Sequence, residues 1–226
     1  KDCPGKVRFF SRETAPENGV FLREGVIYRS HNGEKTKLMD AECILLPGLH
    51  NVENYMAAFA ATDGIVSDDT CRAVAESFRG VAHRLEMIRT LHGVTYCNDS
   101  IASSPTRTIA GLHALRQKPI LIAGGYDKHI PFDKLGDEVC RHVKALFLTG
   151  FTAEKIYDAV TKSPLYDPKA LPIRKIDDFR EAVLAAAASA EEGDLVLLSP
   201  ACASFDHFKN FVERGETFRS IVNELK

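Results

Sequence analysis

Residues 195–204 read Leu195-Val196-Leu197-Leu198-Ser199-Pro200-Ala201-Cys202-Ala203-Ser204, and residues 205–215 continue Phe-Asp-His-Phe-Lys-Asn-Phe-Val-Glu-Arg-Gly. Leu195 to Ser199 form an apolar run of buried-strand type. Ser199 to Ser204 form a loop of small residues. Phe208, Phe211 and Val212 then recur at helical spacing, continued by Phe218, Ile221, Val222 and Leu225. The order strand, small-residue loop, helix start is where an open α/β sheet holds ligands, at a strand's carboxyl end against exposed backbone N–H groups. Small side chains let a ligand reach the backbone. Ser204 either donates its hydroxyl to an anion or caps the helix.

Upstream, the pattern repeats. Strands are expected at Val94–Asn98, Pro119–Ala123, Ala145–Thr149, Ile173–Ile176 and Leu195–Ser199, with helices near 104–117, 132–143, 152–162 and 177–191. This alternation predicts an α/β fold with a Rossmann-like, mostly parallel sheet and helices on both faces. Residues 7–46 read differently. Short runs at Val7–Phe10, Val20–Leu22, Val26–Tyr28 and Ala41–Leu46, punctuated by Gly25 and Asn32-Gly33, are strand-and-hairpin material. Helices are expected at about 51–62 and 67–78, and a domain boundary near Gly80 separates residues 1–79 from 80–226.

Composition narrows the function classes. A chain of 226 residues with net charge −2 lacks the broad basic surface that non-specific nucleic-acid binding needs. No apolar run is long enough to span a membrane, so no membrane partner is expected. Cys3, Cys43, Cys71, Cys97, Cys140 and Cys202 show no paired metal-type spacing, which suits reduced thiols in a cytoplasmic protein. The chain opens without Met, near a strand, which reads as a chain whose upstream part is missing. It contains no Gly-x-x-x-x-Gly-Lys-Ser/Thr phosphate loop, no Cys-x-x-Cys or His-x-x-x-His cluster and no Gly-x-Ser-x-Gly elbow.

Several strand ends and helix starts carry candidate chemistry. Asp99, in Asn98-Asp99-Ser100, accepts from a sugar hydroxyl or closes an Asx-turn or N-cap. Gly124-Gly125-Tyr126-Asp127-Lys128 combines a tight turn with a cation that holds a carboxylate or phosphate, or is simply solvated. Gly150 reads as a plain turn. Asn51 reads as the N-cap of the helix at 51–62, with Asn54 in its first turn. Arg84 reaches a nucleotide or pairs on the surface with Glu86 or Glu76. Strand-end loops of a parallel sheet gather on one rim, so Asp99, Ser103, Lys128 and Ser204 are expected to converge.

The ordered series Pro47 to Ala58, Phe78 to Glu86, Asn98-Asp99-Ser100, Gly124 to Lys128 and Leu197 to Phe208, with Phe211 and Arg214-Gly215, resembles the Mur ligases of peptidoglycan synthesis. The Ser-Pro-Ala-Cys-Ala-Ser block resembles the D-glutamate-adding branch. The resemblance implies that residues 1–79 are the tail of a central ATPase domain and residues 80–226 the C-terminal domain. It implies an ADP-forming ligase that joins D-glutamate to UDP-N-acetylmuramoyl-L-alanine with ATP and Mg2+, monomeric and complete only with upstream residues that carry the phosphate loop and magnesium ligands. The chain alone is then inactive, and its partial sheet self-associates or is locally disordered. By the same comparison Asn51, Asn54, Arg84 and Asp99 contact ATP, and Ser103, Lys128, Ser204 and Phe211 surround D-glutamate. Many family members carry a lysine just after Asn-Asp-Ser. Here Ile101 stands there, and Arg107 is expected to replace that cation in part. Other amide ligases of the group, including folylpolyglutamate synthases, and a non-catalytic ligand-binding module are the alternative readings.

Overall fold

The computed structural model describes residues 4–46 and 48–226; Cys3 and Pro47, both read above, lie outside the described residues. The chain divides into two compact units, Lys1–Gly80 and Val81–Lys226. The first contains strands β1 (Phe9–Ser11), β2 (Gly19–Arg23), β3 (Val26–His31) and β4 (Glu34–Asp40), then helices α1 (Leu49–Ala61) and α2 (Asp68–Ser77). β1 pairs parallel to β2, and β2, β3 and β4 pair antiparallel in order. Two-residue hairpins fix the register. Glu24-Gly25 joins Arg23 to Val26, and Asn32-Gly33 joins His31 to Glu34, all four loop residues having positive φ. That is the type I′ geometry whose twist matches the strands.

The hairpins also correct one expectation. The strand placed at 41–46 lies instead at Glu34–Asp40, and Ala41–Cys43 form a single 3-10 turn. Asp40 pairs with Val26, the first residue of β3, so nothing remains beyond it for Ala41 to pair with. α1 begins at Leu49 with Gly48 as its N-cap, so Asn51 sits within the first turn and is not the cap. Val52, Tyr55, Met56 and Phe59 bury one face of α1 against Val20, Ile27, Leu38 and Met39. α2 is capped by Ser67, whose Oγ accepts from Thr70 N at 3.2 Å.

The second unit runs β5 (Glu86–Leu91), β6 (Val94–Asn98), α3 (Pro105–Ala114), β7 (Ile120–Ala123), α4 (Asp133–His142), β8 (Ala145–Leu148), α5 (Ala153–Thr161), β9 (Ile173–Lys175), α6 (Phe179–Ala188), β10 (Leu195–Leu198) and α7 (Phe211–Glu224). The sheet order is β5-β6-β10-β7-β8-β9, parallel throughout except β5. β5 is absent from the sequence reading. It pairs with β6 through a His92-Gly93 hairpin, both residues at positive φ.

Both sheet faces are covered. On β10, Leu195 and Leu197 pack with Leu112 of α3, Leu135 and Val139 of α4, and Ile156 and Val160 of α5. Val196 and Leu198 pack with Phe179 and Val183 of α6 and Phe218, Ile221 and Val222 of α7. Burial on both sides explains why the strands read as continuous apolar runs. β10, the last strand in the chain, is inserted between β6 and β7. Its chain continues into α7 on one face, while β6 and β7 continue into α3 and α4 on the other. A strand whose exit departs to the face opposite its neighbours' exits opens a crevice at the carboxyl ends, the topological switch point of an open sheet.

Candidate functional site

Three strand-end loops meet at this switch point. Asp99 N–H, just after β6, donates to Leu198 O of β10 at 2.7 Å. Gly124 N–H, just after β7, donates to Pro200 O at 2.8 Å, and Tyr126 N–H donates to Ala203 O at 2.9 Å. The β7 and β10 loops are therefore stitched together two residues before Lys128 and one before Ser204. Ala201 takes a left-handed φ of 60° in the buried loop, a conformation that costs a non-glycine residue about 1–2 kcal/mol.

Close backbone approach requires the glycines. A Cβ on Gly124 would stand 1.9 Å from Thr149 O, and one on Gly125 2.4 Å from Ala203 O. Gly150 makes the expected turn, its carbonyl accepting from Ala153 N–H at 3.1 Å, and is also closely approached: its Cβ would lie 2.2 Å from Asp206 Oδ2 and 3.0 Å from Gly125 Cα. Thr152 Oγ1 completes the junction, accepting from Gly125 N–H at 3.0 Å and lying 3.1 Å from Cys202 Sγ. Burial pushes the Cys202 thiol up to about 11, against the Thr152 hydrogen bond.

Arg214 of α7 fastens the loops. It is 2% exposed, and its guanidinium donates to Ser100 Oγ (3.1 Å), Ser100 O (2.9 Å), Cys202 O (3.0 Å) and Ala203 O (3.1 Å). Burial lowers its pKa to about 10, partly opposed by the Asp206 charge. Ser100 Oγ in turn donates to Phe211 O at 2.8 Å, placing Phe211 beside the β6 loop and edge-on to the His83 ring at 6.0 Å. The sequence reading assigned Arg214 no role. Its signal is a charged residue lying between Phe211 and Phe218 on the apolar stripe of α7.

Asp99 is 4% exposed. Its Oδ2 accepts from Ser199 Oγ at 2.7 Å and its Oδ1 from Leu85 N–H at 3.3 Å. Burial raises its pKa to about 6, against these two hydrogen bonds and the charges of Arg84 and Arg107. Asp99, Arg84 and Arg107 thus lie together, both arginines exposed. Arg107 Nη1 donates to Ile101 O at 3.2 Å. Beside them, His83 Nδ1 and Asn98 Nδ2 are 2.9 Å apart, and Glu86 Oε2 accepts from His83 N–H at 2.9 Å. Burial would raise Glu86, but hydrogen bonds from Arg219 and His83 N–H outweigh it and hold the carboxyl below its ordinary range. Glu86 is therefore not the partner of Arg84.

The remaining candidates divide. Lys128 is exposed, with no ion pair among the described residues, whereas neighbouring Asp127 pairs with Lys155. Ser204 is 2% exposed and caps no helix; its carbonyl accepts from His207 and Phe208 N–H, and Asn210 caps α7. Ser103 is half-buried in the loop before α3. Asn51, buried, and Asn54 stand on α1 of the first unit, where Asn54 Nδ2 donates to Asn51 Oδ1 at 3.4 Å. No helix among the described residues is long and apolar enough to cross a membrane.

Comparison with known proteins places these loops in a family. A UDP-N-acetylmuramoylalanine–D-glutamate ligase of Acetivibrio thermocellus is 47% identical over 227 residues, covering 100% of this chain and 49% of that protein. One of Clostridium novyi is 48% identical over 230 residues, covering 100% of this chain and 48% of that protein. The chain thus spans about half the length of the curated relatives it matches. A pseudomurein peptide ligase type C from Methanothermus fervidus shares the fold, with a TM-score of 0.64 at 15% identity, over 94% of this chain and 43% of that one. The family model for the Mur ligase glutamate ligase domain matches residues 83–202, from the buried His83 through the loop that Arg214 clamps, and this chain belongs to the Mur ligase family.

Proposed function

We propose that this chain is part of an ADP-forming ligase that joins D-glutamate to UDP-N-acetylmuramoyl-L-alanine, and that its second unit presents the amino acid. The observation that carries the reading is the stitched rim: Tyr126–Ala203 pairing and the Arg214 clamp bring the Lys128 and Ser204 loops to one switch point. A short diacid needs a cation and hydroxyl donors held on rigid backbone. Lys128 supplies the charge, Ser103 and Ser204 the hydroxyls, and Phe211 an apolar wall.

A free carboxylate is a poor electrophile. In the proposed reaction the L-alanyl carboxylate oxygen takes the γ-phosphoryl of ATP, releasing ADP. The D-glutamate amine attacks the acyl phosphate carbon, loses its proton, and the tetrahedral intermediate expels phosphate to leave the amide. Positioning and charge stabilisation carry such a reaction. Arg84 is assigned to phosphate charge as a planar fork, Asp99 to the ribose side through its remaining lone pairs, and Asn51 and Asn54 to ATP.

Magnesium shields phosphate charge in reactions of this class. The residues present do not form a site suited to it: among the described residues one cluster of metal-type donors occurs, His113, Glu138 and His142, and two of its three donors are nitrogens.

The test uses the protein extended to the length of its relatives, with ATP, UDP-N-acetylmuramoyl-L-alanine and D-glutamate, L-glutamate or meso-diaminopimelate. Phosphate release is expected with D-glutamate alone. Lys128→Ala raises the KM for D-glutamate by about tenfold or more, the loss of a charge-assisted contact, and leaves the KM for ATP unchanged. Arg107→Ala raises the KM for D-glutamate more modestly. Turnover with another amino acid in place of D-glutamate, or an unchanged KM in Lys128→Ala, overturns the assignment.

A further inference from the structure

His113 lies in the last turn of α3, and Glu138 and His142 lie one turn apart on α4. His113 Nε2 is 2.5 Å from Glu138 Oε2, and His142 Nε2 is 3.3 Å from the same oxygen. All three donor atoms fall within 4.8 Å of one another, and the two imidazole centroids are 5.0 Å apart. Arg141 Nη1 holds the other carboxylate oxygen, Oε1, at 2.7 Å. The site is on the surface: the side chains of His113 and His142 are 52% and 40% exposed, that of Glu138 19%.

Two imidazoles drawn onto one carboxylate oxygen have two uses. Protonated, they pair with it, but two neighbouring cations then repel each other. Neutral, they offer two nitrogen lone pairs and one anionic oxygen to a single point between the helices. Zinc bonds of about 2.0–2.1 Å to nitrogen and oxygen place tetrahedral donors about 3.3 Å apart. The His142–Glu138 separation already has that value, and His113 needs to withdraw by less than an ångström. Arg141 stands as the outer partner that orients a ligating carboxylate.

We propose that His113, Glu138 and His142 form a binding site for a divalent transition ion of the zinc type, which ties α3 to α4 and keeps a fourth position open to water. Magnesium and calcium demand oxygen donors and are excluded by the two imidazoles. The site is independent of the proposed ligase reaction.

Zinc chloride is titrated calorimetrically into the full chain carrying Cys3→Ser, Cys43→Ser and Cys140→Ser, so that neither the exposed nor the half-buried thiol among the described residues competes, near neutral pH. One ion per chain is expected, with no binding heat from magnesium chloride. His113→Ala and His142→Ala each weaken zinc binding at least tenfold. Zinc raises the thermal midpoint of the parent chain and leaves those of both variants where they are. Because both histidines are exposed, the variants should melt like the parent without zinc. Absence of saturable zinc binding, or an affinity that survives either histidine substitution in a chain that melts normally, overturns the proposal.

Discussion

Asp99→Asn isolates the energetic consequence of placing a carboxylate in the crevice. In the folded chain, burial raises the Asp99 pKa from its ordinary 3.8 to about 6, despite donors from Ser199 and Leu85 and the nearby arginines. A rise of about two pH units corresponds to about 3 kcal/mol. The sign follows from proton binding. Below pH 3.8 both folded and unfolded chains hold the proton, and stability is undiminished. Between pH 3.8 and about 6 the unfolded chain releases it first, so stability falls as pH rises through the folded value, then levels off. Asn does not titrate. Its amide also turns an N–H toward one of the two donors, a pH-independent cost of about 1–3 kcal/mol. The stability of Asp99→Asn relative to the parent should therefore climb by about 3 kcal/mol between about pH 4 and about pH 7.5. Urea unfolding followed by circular dichroism at several pH values measures the gap. A gap that stays flat or narrows as pH rises refutes the reasoning. A carboxylate whose ionisation weakens the fold is the pattern found where a residue serves a site.

Arg214→Met strands four buried acceptors, Ser100 Oγ and the carbonyls of Ser100, Cys202 and Ala203. We expect a loss of about 3–5 kcal/mol and faster hydrogen exchange in residues 100–103 and 199–206; a urea midpoint near the parent's would remove Arg214 as the clamp. Arg214→Lys should recover little, since an ammonium lacks the planar fork. Gly150→Ala, with its Cβ 2.2 Å from Asp206 Oδ2 and φ at 71°, should destabilise by about 1–3 kcal/mol. Adding Asp206→Ala should return the packing part of that cost and not the backbone part; a double variant as weak as the sum of the singles would contradict the contact.

The sequence alone determined the elements that its periodicity controls. Apolar runs buried on both faces announced β6, β7, β8 and β10 within a residue of their ends, and 3.6-residue stripes announced the helices between them. Asn32-Gly33 announced a hairpin because it suits two positive φ values. The motif blocks carried the family. Where local pattern is weak, reading failed. β5 carries Glu86, Arg89 and Thr90 among its apolar residues, and a strand paired along one edge needs no continuous apolar run. The run Ala41–Leu46 looked like a strand and is not one, because its partner ends at Val26.

Tertiary structure decided what no window of residues contains. Insertion of β10 between β6 and β7 creates the crevice, and strand order follows from competing packings of whole helices on two sheet faces. Arg214 is buried because four carbonyl and hydroxyl oxygens from two distant loops converge on it, an environment invisible from α7 alone. Gly150 is the turn its sequence suggests, but only the chain beyond β10 brings Asp206 against it. The raised pKa of Asp99 likewise comes from burial by residues distant in sequence, which outweighs the hydrogen bonds from Ser199 and Leu85. The sequence determined which groups are present, and the fold decided which of them share a dielectric.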